Sequence, residues 1–115
     1  IIALTAAYGQ SEDWLEELIC YLQGNRDFLV DYIQTELPQL KVNTPEATYL
    51  AWIDFSNLGL SDEEVQKLLV EKARLALEPG IKYGQEGSGY QRLNFGCPRK
   101  TLSIALERMK KAIKE

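Results

Sequence analysis

The chain has 115 residues, 45% of them apolar types and 26% charged, which is the mixture of one ordinary globular domain with a modest core. Thirteen Lys and Arg against seventeen Asp and Glu leave a net charge of −4, which argues against a nucleic-acid partner. No apolar run approaches the length of a membrane span, so no membrane association is expected. Histidine is absent, which excludes Ser-His-Asp and Cys-His catalysis and every histidine-ligated metal site.

The chain opens Ile1-Ile2-Ala3-Leu4, without Met and without a charged leader. That start is expected of a protein freed from a tag or of a piece of a longer polypeptide. Residues 1–7 are apolar and compatible with helix. Leu15, Leu18, Ile19, Leu22, Leu29, Ile33 and Leu37 then recur at spacings of three, four and seven, a continuous stripe on one helix face. Ser11 is placed to cap this helix, Glu12 and Asp13 suit the positive end of its dipole, and Pro38 ends it. Gly24, inside the pattern, costs about 1 kcal/mol against Ala. A stripe this long on a short chain predicts a helix, about residues 1–37, that packs against something beyond the domain. Cys20 on it and Cys97 far downstream fit neither a zinc knuckle nor a redox CxxC pair. They read as free thiols of a reducing cytoplasm.

From Lys41 the period changes. Residues 48–55, rich in aromatic and β-branched types, predict a strand largely buried on both faces. Asn57 and Gly59 turn the chain, and Ser61-Asp62-Glu63-Glu64 is a capping box. The helix it opens carries Val65, Leu68, Leu69, Lys72 and Ala76 on one face, with Pro79-Gly80 as the stop. Residues 80–89 form a glycine-rich connector. Residues 90–95 alternate, with Leu93 and Phe95 on one side and Arg92 and Asn94 on the other. A last helix carries Leu102, Ala105, Leu106, Met109 and Ile113 on its stripe, and Lys110, Lys111 and Lys114 near its end suit the dipole. The expected fold is α/β (α+β), a small sheet covered by helices over about residues 38–115.

Arg92 is the leading candidate for chemistry. A mid-strand arginine presents a rigid two-pronged donor that grips a carboxylate bidentately, although a surface ion pair accounts for its position equally simply. The segment Gly84-Gln85-Glu86-Gly87-Ser88-Gly89 lacks the lysine and the following helix of a phosphate loop, and reads as a connector or lid. Arg99 opens the last helix, where a cation opposes the dipole; either a specific role or a structural pairing would hold it there. Glu63, Glu64 and Glu71 read as solvating charge. Asp54 either orients a partner or caps the turn that follows. Trp14 and Trp52 read as packing residues.

The tail Tyr90-Gln91-Arg92-Leu93-Asn94-Phe95-Gly96-Cys97-Pro98-Arg99, followed by Leu102 and Ala105-Leu106-Glu107-Arg108, resembles the closing segment of class I/II pyridoxal-phosphate aminotransferases. The pattern R-x-N-x-x-C-P-R is similar to the cystathionine β-lyase-like (C–S lyase) branch. Tyr21-Leu22-Gln23-Gly24-Asn25-Arg26-Asp27, Pro45-Glu46-Ala47-Thr48-Tyr49-Leu50-Ala51-Trp52 and Pro79-Gly80 with Tyr83-Gly84 agree in family order. The resemblance implies the C-terminal small domain of fold type I enzymes, a mainly antiparallel sheet reached by a long linking helix. It implies that Arg92 binds the α-carboxylate of an amino-acid substrate and that pyridoxal 5′-phosphate serves the parent. It further implies a large cofactor-binding domain in the same polypeptide and a homodimer. The catalytic lysine of the family sits in a Ser/Thr-x-x-Lys context that none of Lys41, Lys67, Lys72, Lys82 or Lys100 has. The chain alone is therefore expected to be inert. A stand-alone α/β module that senses an amino acid through Arg92, and an interaction domain docking through its long helix, are the rival readings.

Overall fold

The computed structural model describes residues 1–115. The predicted leading helix is two helices, α1 (Ile2–Gln10) and α2 (Glu12–Glu36), separated at Ser11, whose φ of −120° and ψ of 21° interrupt the helical path. Ser11 is not a side-chain cap. Its hydroxyl donates back to the Ala6 carbonyl at 3.2 Å, because the backbone leaves the helical region there without turning the side chain onto the next turn. The apolar stripe divides as well. Leu29, Ile33 and Leu37 are fully buried, whereas Leu15 and Ile19 are exposed, as is all of α1 except the half-buried Ala6. Only the second half of α2 has a sheet and a helix of this chain to cover it.

Four strands form one antiparallel sheet in the order β1-β2-β4-β3: β1 (Lys41–Val42), β2 (Leu50–Asp54), β3 (Glu78–Pro79) and β4 (Tyr90–Asn94). The short β1 and β3 complete the two strands legible in the sequence. β2 is buried on one face only. Ala51, Ile53 and Phe55 point into the core, while Trp52 and Asp54 face outward, so the apolar run is an alternating strand with aromatic residues on its open side.

The capping box forms as predicted: Ser61 Oγ accepts from Glu64 N at 3.2 Å, and Glu64 Oε2 accepts from Ser61 N at 2.8 Å. It opens α3 (Asp62–Lys67), which runs into a π-helical segment over Leu68–Ala73 and ends at Arg74, in the left-handed region at φ 55°. The wider π turn changes the buried stripe. Val65, Leu69 and Ala73 are buried, while the expected Lys72 and Ala76 are exposed. Helix α4 (Arg99–Lys114) lays Leu102, Leu106, Met109 and Ala112 on the core, with Ile113 at its margin. The core thus lies between one face of the sheet and a layer made of α2, α3 with its π turn, and α4. The other sheet face stays open. No helix is long and apolar enough to cross a membrane.

Candidate functional site

The two-residue period of β2 and β4 sends Trp52, Asp54, Tyr90, Arg92 and Asn94 to the open face. Antiparallel register aligns them in rows. Trp52, Arg92 and Glu78 lie side by side across three strands, and Lys41, Asp54 and Tyr90 form the row beside them. Trp52 stacks on Tyr90 with ring centroids 5.3 Å apart and planes 16° apart, and meets Tyr83 edge-on at 6.1 Å. Beside this stack a mixed groove of about 370 Å³ is lined by Lys41, Asn43, Thr44 and Asp54 together with Val42, Pro45 and Leu50.

Arg92 is half-buried and lies at the edge of this aromatic group. Its guanidinium carbon sits 5.4 Å from the centroid of the Tyr83 ring. The surface ion pair that spacing alone allowed is not formed. The ion pairs of the chain are Arg26–Asp27, Lys82–Glu78 and Lys110–Glu36, and no side-chain hydrogen bond engages Arg92. A cation set over a ring, with no side-chain hydrogen bond of its own, has its planar fork free for an anion. Glu78, its cross-strand neighbour, is engaged by Lys82 Nζ at 2.7 Å. That hydrogen bond, with a smaller contribution from the charge of Arg92, holds the Glu78 carboxyl below the usual range.

Tyr83 and Lys82 stand on a 3-10 turn, Gly80–Tyr83, followed by a second, Gln85–Gly87. The segment read as an open connector is therefore folded. Gly80 and Gly87 are buried against each other so closely that a Cβ on either would overlap the other's backbone. Asp62, in the first turn of α3, closes the end of the segment by accepting from Ser88 Oγ at 2.6 Å and Gly89 N at 2.7 Å. These two donors pull the Asp62 carboxyl down in pKa. Sequence reasoning missed Tyr83, Glu78 and Lys82 as neighbours of Arg92. The Tyr83-Gly84 step was visible, but the pairing of a two-residue strand was not.

The other sequence-predicted residues are elsewhere. Arg99 is not in the Arg92 row. It folds onto α2, where its Nε donates to Asn25 Oδ1 at 3.0 Å and its Nη2 to the Tyr21 carbonyl at 3.3 Å. Its guanidinium lies 5.0 Å over the Tyr21 ring. Asp54 caps its own turn by accepting from Ser56 N at 2.8 Å. Trp14 is exposed, and Trp52 is part of the open face instead of the core. Glu63 and Glu71 are solvated, Glu64 serves the capping box, and both cysteines are free, with burial pushing the Cys97 thiol up. Lys41, Lys67, Lys72 and Lys100 are exposed, and Lys82 is held by Glu78.

No protein-family model matches the chain. Over 113 residues it is 45% identical to cystathionine beta-lyase PatB of Bacillus subtilis (strain 168), a match covering 98% of this chain and 29% of PatB. It is 40% identical over 117 residues to protein MalY of Escherichia coli (strain K12), covering 99% of this chain and 30% of MalY. The fold superposes on cystalysin from Treponema denticola, whose structure contains a pyridoxal 5′-phosphate cofactor. The TM-score is 0.90 at 30% identity, over 94% of this chain and 27% of cystalysin. The chain thus spans under a third of the length of the relatives it matches. The four helices and the small antiparallel sheet are those of the C-terminal portion of fold type I pyridoxal-phosphate enzymes. The chain belongs to that aminotransferase family, in the branch of the cystathionine β-lyases.

Proposed function

We propose that this chain is the substrate-clamping small domain of a pyridoxal-phosphate-dependent C–S lyase or aminotransferase, in which Arg92 binds the α-carboxylate of the amino-acid substrate. The observation that carries this reading is a half-buried arginine on an open sheet face, its guanidinium carbon 5.4 Å from the centre of the Tyr83 ring and without a carboxylate partner. An arginine fixed on a strand beside two aromatic rings is already oriented, so a bidentate pair forms with little loss of side-chain freedom. Trp52 and Tyr90 form the adjoining wall and keep water from one side of that pair.

On the same reading the residues that hold the cofactor lie elsewhere in the polypeptide. The lysines near the open face are solvated or paired with Glu78, and none stands in the Ser/Thr-x-x-Lys context of the family. Pyridoxal phosphate, when bound by the rest of the polypeptide, supplies an electron sink for a carbanion at Cα. The part of this domain is to hold the carboxylate and help close the site, which converts binding into orientation. Alone, the domain is inert. The same reading assigns α1 and the first half of α2 to the link with the cofactor-binding domain, and it extends to a cytoplasmic homodimer. It is favoured over a free-standing sensor by the exposed apolar residues of α1 and the start of α2, Ile2, Leu4, Tyr8, Trp14, Leu15 and Ile19, which a self-contained module would cover.

The test is made on the full-length polypeptide. Replacing Arg92 with Ala raises KM for the amino acid by about a hundredfold, since a charge-assisted bidentate pair is lost, while the absorbance of the bound cofactor stays as it is. Unchanged substrate kinetics in that variant reject the role.

A further inference from the structure

We infer that Lys82 is a specificity-positioning residue, one that keeps Arg92 available for a ligand carboxylate by occupying Glu78. The inference rests on the reading of Arg92 given above and adds to it the device that keeps its guanidinium unpaired.

Three observations carry it. Glu78 and Arg92 are directly opposed in the β3–β4 register, the arrangement in which cross-strand neighbours of opposite charge normally pair. They do not pair. The Glu78 carboxylate is instead bound to Lys82 Nζ at 2.7 Å, four residues along the chain. Arg92 in turn lies on the ring of Tyr83, the residue next to Lys82. A single 3-10 turn thus performs two tasks on one pair of strand residues. Its Lys82 draws the carboxylate away, and its Tyr83 supports the cation from below. The turn is held in place by the tight contact of Gly80 with Gly87 and by the Asp62 bonds to Ser88 and Gly89.

The chemistry is a competition. A carboxylate of the protein within reach of Arg92 excludes a carboxylate of a ligand, because one guanidinium edge accommodates one bidentate partner. Lys82 offers Glu78 a partner of equal charge on the same short segment. Without it, Glu78 has one cation left nearby, and that cation is Arg92.

The experiment uses the full-length polypeptide loaded with its cofactor, with L-alanine and L-alaninamide as probes. Dissociation constants are read by rapid-mixing titration. Lys82→Met, at a side chain 60% exposed, keeps the aliphatic stem and removes the charge. It weakens L-alanine by about fivefold, the scale of a partly exposed ion pair, and leaves the uncharged amide within about twofold. Adding Glu78→Gln to Lys82→Met restores L-alanine binding, since no competing carboxylate remains. Arg92→Gln weakens L-alanine in every background. If Lys82→Met leaves L-alanine unchanged, weakens both probes alike, or is not rescued by Glu78→Gln while Arg92→Gln still weakens L-alanine, the role of Lys82 is rejected and that of Arg92 stands. If Arg92→Gln has no effect, the carboxylate reading itself fails, and this inference with it.

Discussion

Arg99 Nε donates to Asn25 Oδ1 at 3.0 Å, joining the first turn of α4 to the middle of α2. Asn25 is completely buried and spends its other valences on the end of the Arg92 strand. Its Nδ2 donates to the Phe95 carbonyl at 3.0 Å and to the Cys97 carbonyl at 2.8 Å. The backbone N–H of Arg99, one of the orphan donors of a helix start, is satisfied by Tyr21 Oη at 2.7 Å. Helix α4 has no side-chain cap of its own at Pro98, so Tyr21 performs that task from another helix.

Asn25→Leu keeps the branched shape of the side chain and removes three hydrogen bonds. The buried Phe95 carbonyl and the part-buried Cys97 carbonyl lose their donor, and the exposed Arg99 loses its acceptor on α2, at a cost of about 3 kcal/mol. The expected outcome in urea unfolding is a lower midpoint with little change in slope. An unaltered midpoint would mean that water replaces the amide without loss.

Gly24 lies under the Arg99 guanidinium, and a Cβ there would overlap Nη2. On helix propensity alone, Gly24→Ala stabilises by about 1 kcal/mol. In the native background that gain is cancelled because Arg99 is displaced from Asn25. In an Arg99→Ala background the gain returns. A double-mutant cycle measures the difference, expected at about 1 kcal/mol of coupling, and additive effects would contradict the contact.

Gly87→Ala places a methyl group on the backbone of Gly80. The atoms it meets are main-chain atoms that cannot rotate away, so the two 3-10 turns must open. The expected loss is about 3 kcal/mol, together with protease cleavage within residues 84–89 that the native chain resists. Limited proteolysis followed by mass analysis reads both states.

Acid and base act on separate contacts. Asp62 is held below its ordinary pKa first by the Gly89 N–H and then by the Ser88 hydroxyl. A depressed carboxyl contributes stability that is complete above its unfolded pKa, about 4, and is lost as pH falls through the lowered folded value. Asp62→Asn therefore flattens the acid limb of the stability curve and leaves the slope above about pH 5 unaltered. Tyr32 shifts the other way, to about 12, because burial comes first and the hydrogen bond to Glu107 second. Its contribution is present below the ordinary value near 10 and is lost as pH rises through the folded one. Ultraviolet titration should show one of the six tyrosines ionising last in the folded chain and with the others after unfolding.

The elements that depend on local chemistry were legible in the sequence. The Ser61–Glu64 box, the Pro38 stop, the alternation of β4 and the stripe of α4 each rest on residues a few positions apart, so spacing alone reports them. The R-x-N-x-x-C-P-R tail identified the family for the same reason, being a short contiguous pattern. What the sequence left open depends on partners far along the chain. The two-residue strands β1 and β3 have no period to read and exist because β2 and β4 offer unpaired edges. The π turn moves the buried stripe to Ala73, and no residue type announces it. The use of Arg99 was undecidable because its partner Asn25 lies 74 positions away. Arg92 was legible as a strand arginine. That Lys82 holds Glu78 while Tyr83 supports the guanidinium was decided only when packing brought β3, β4 and one glycine-held turn together.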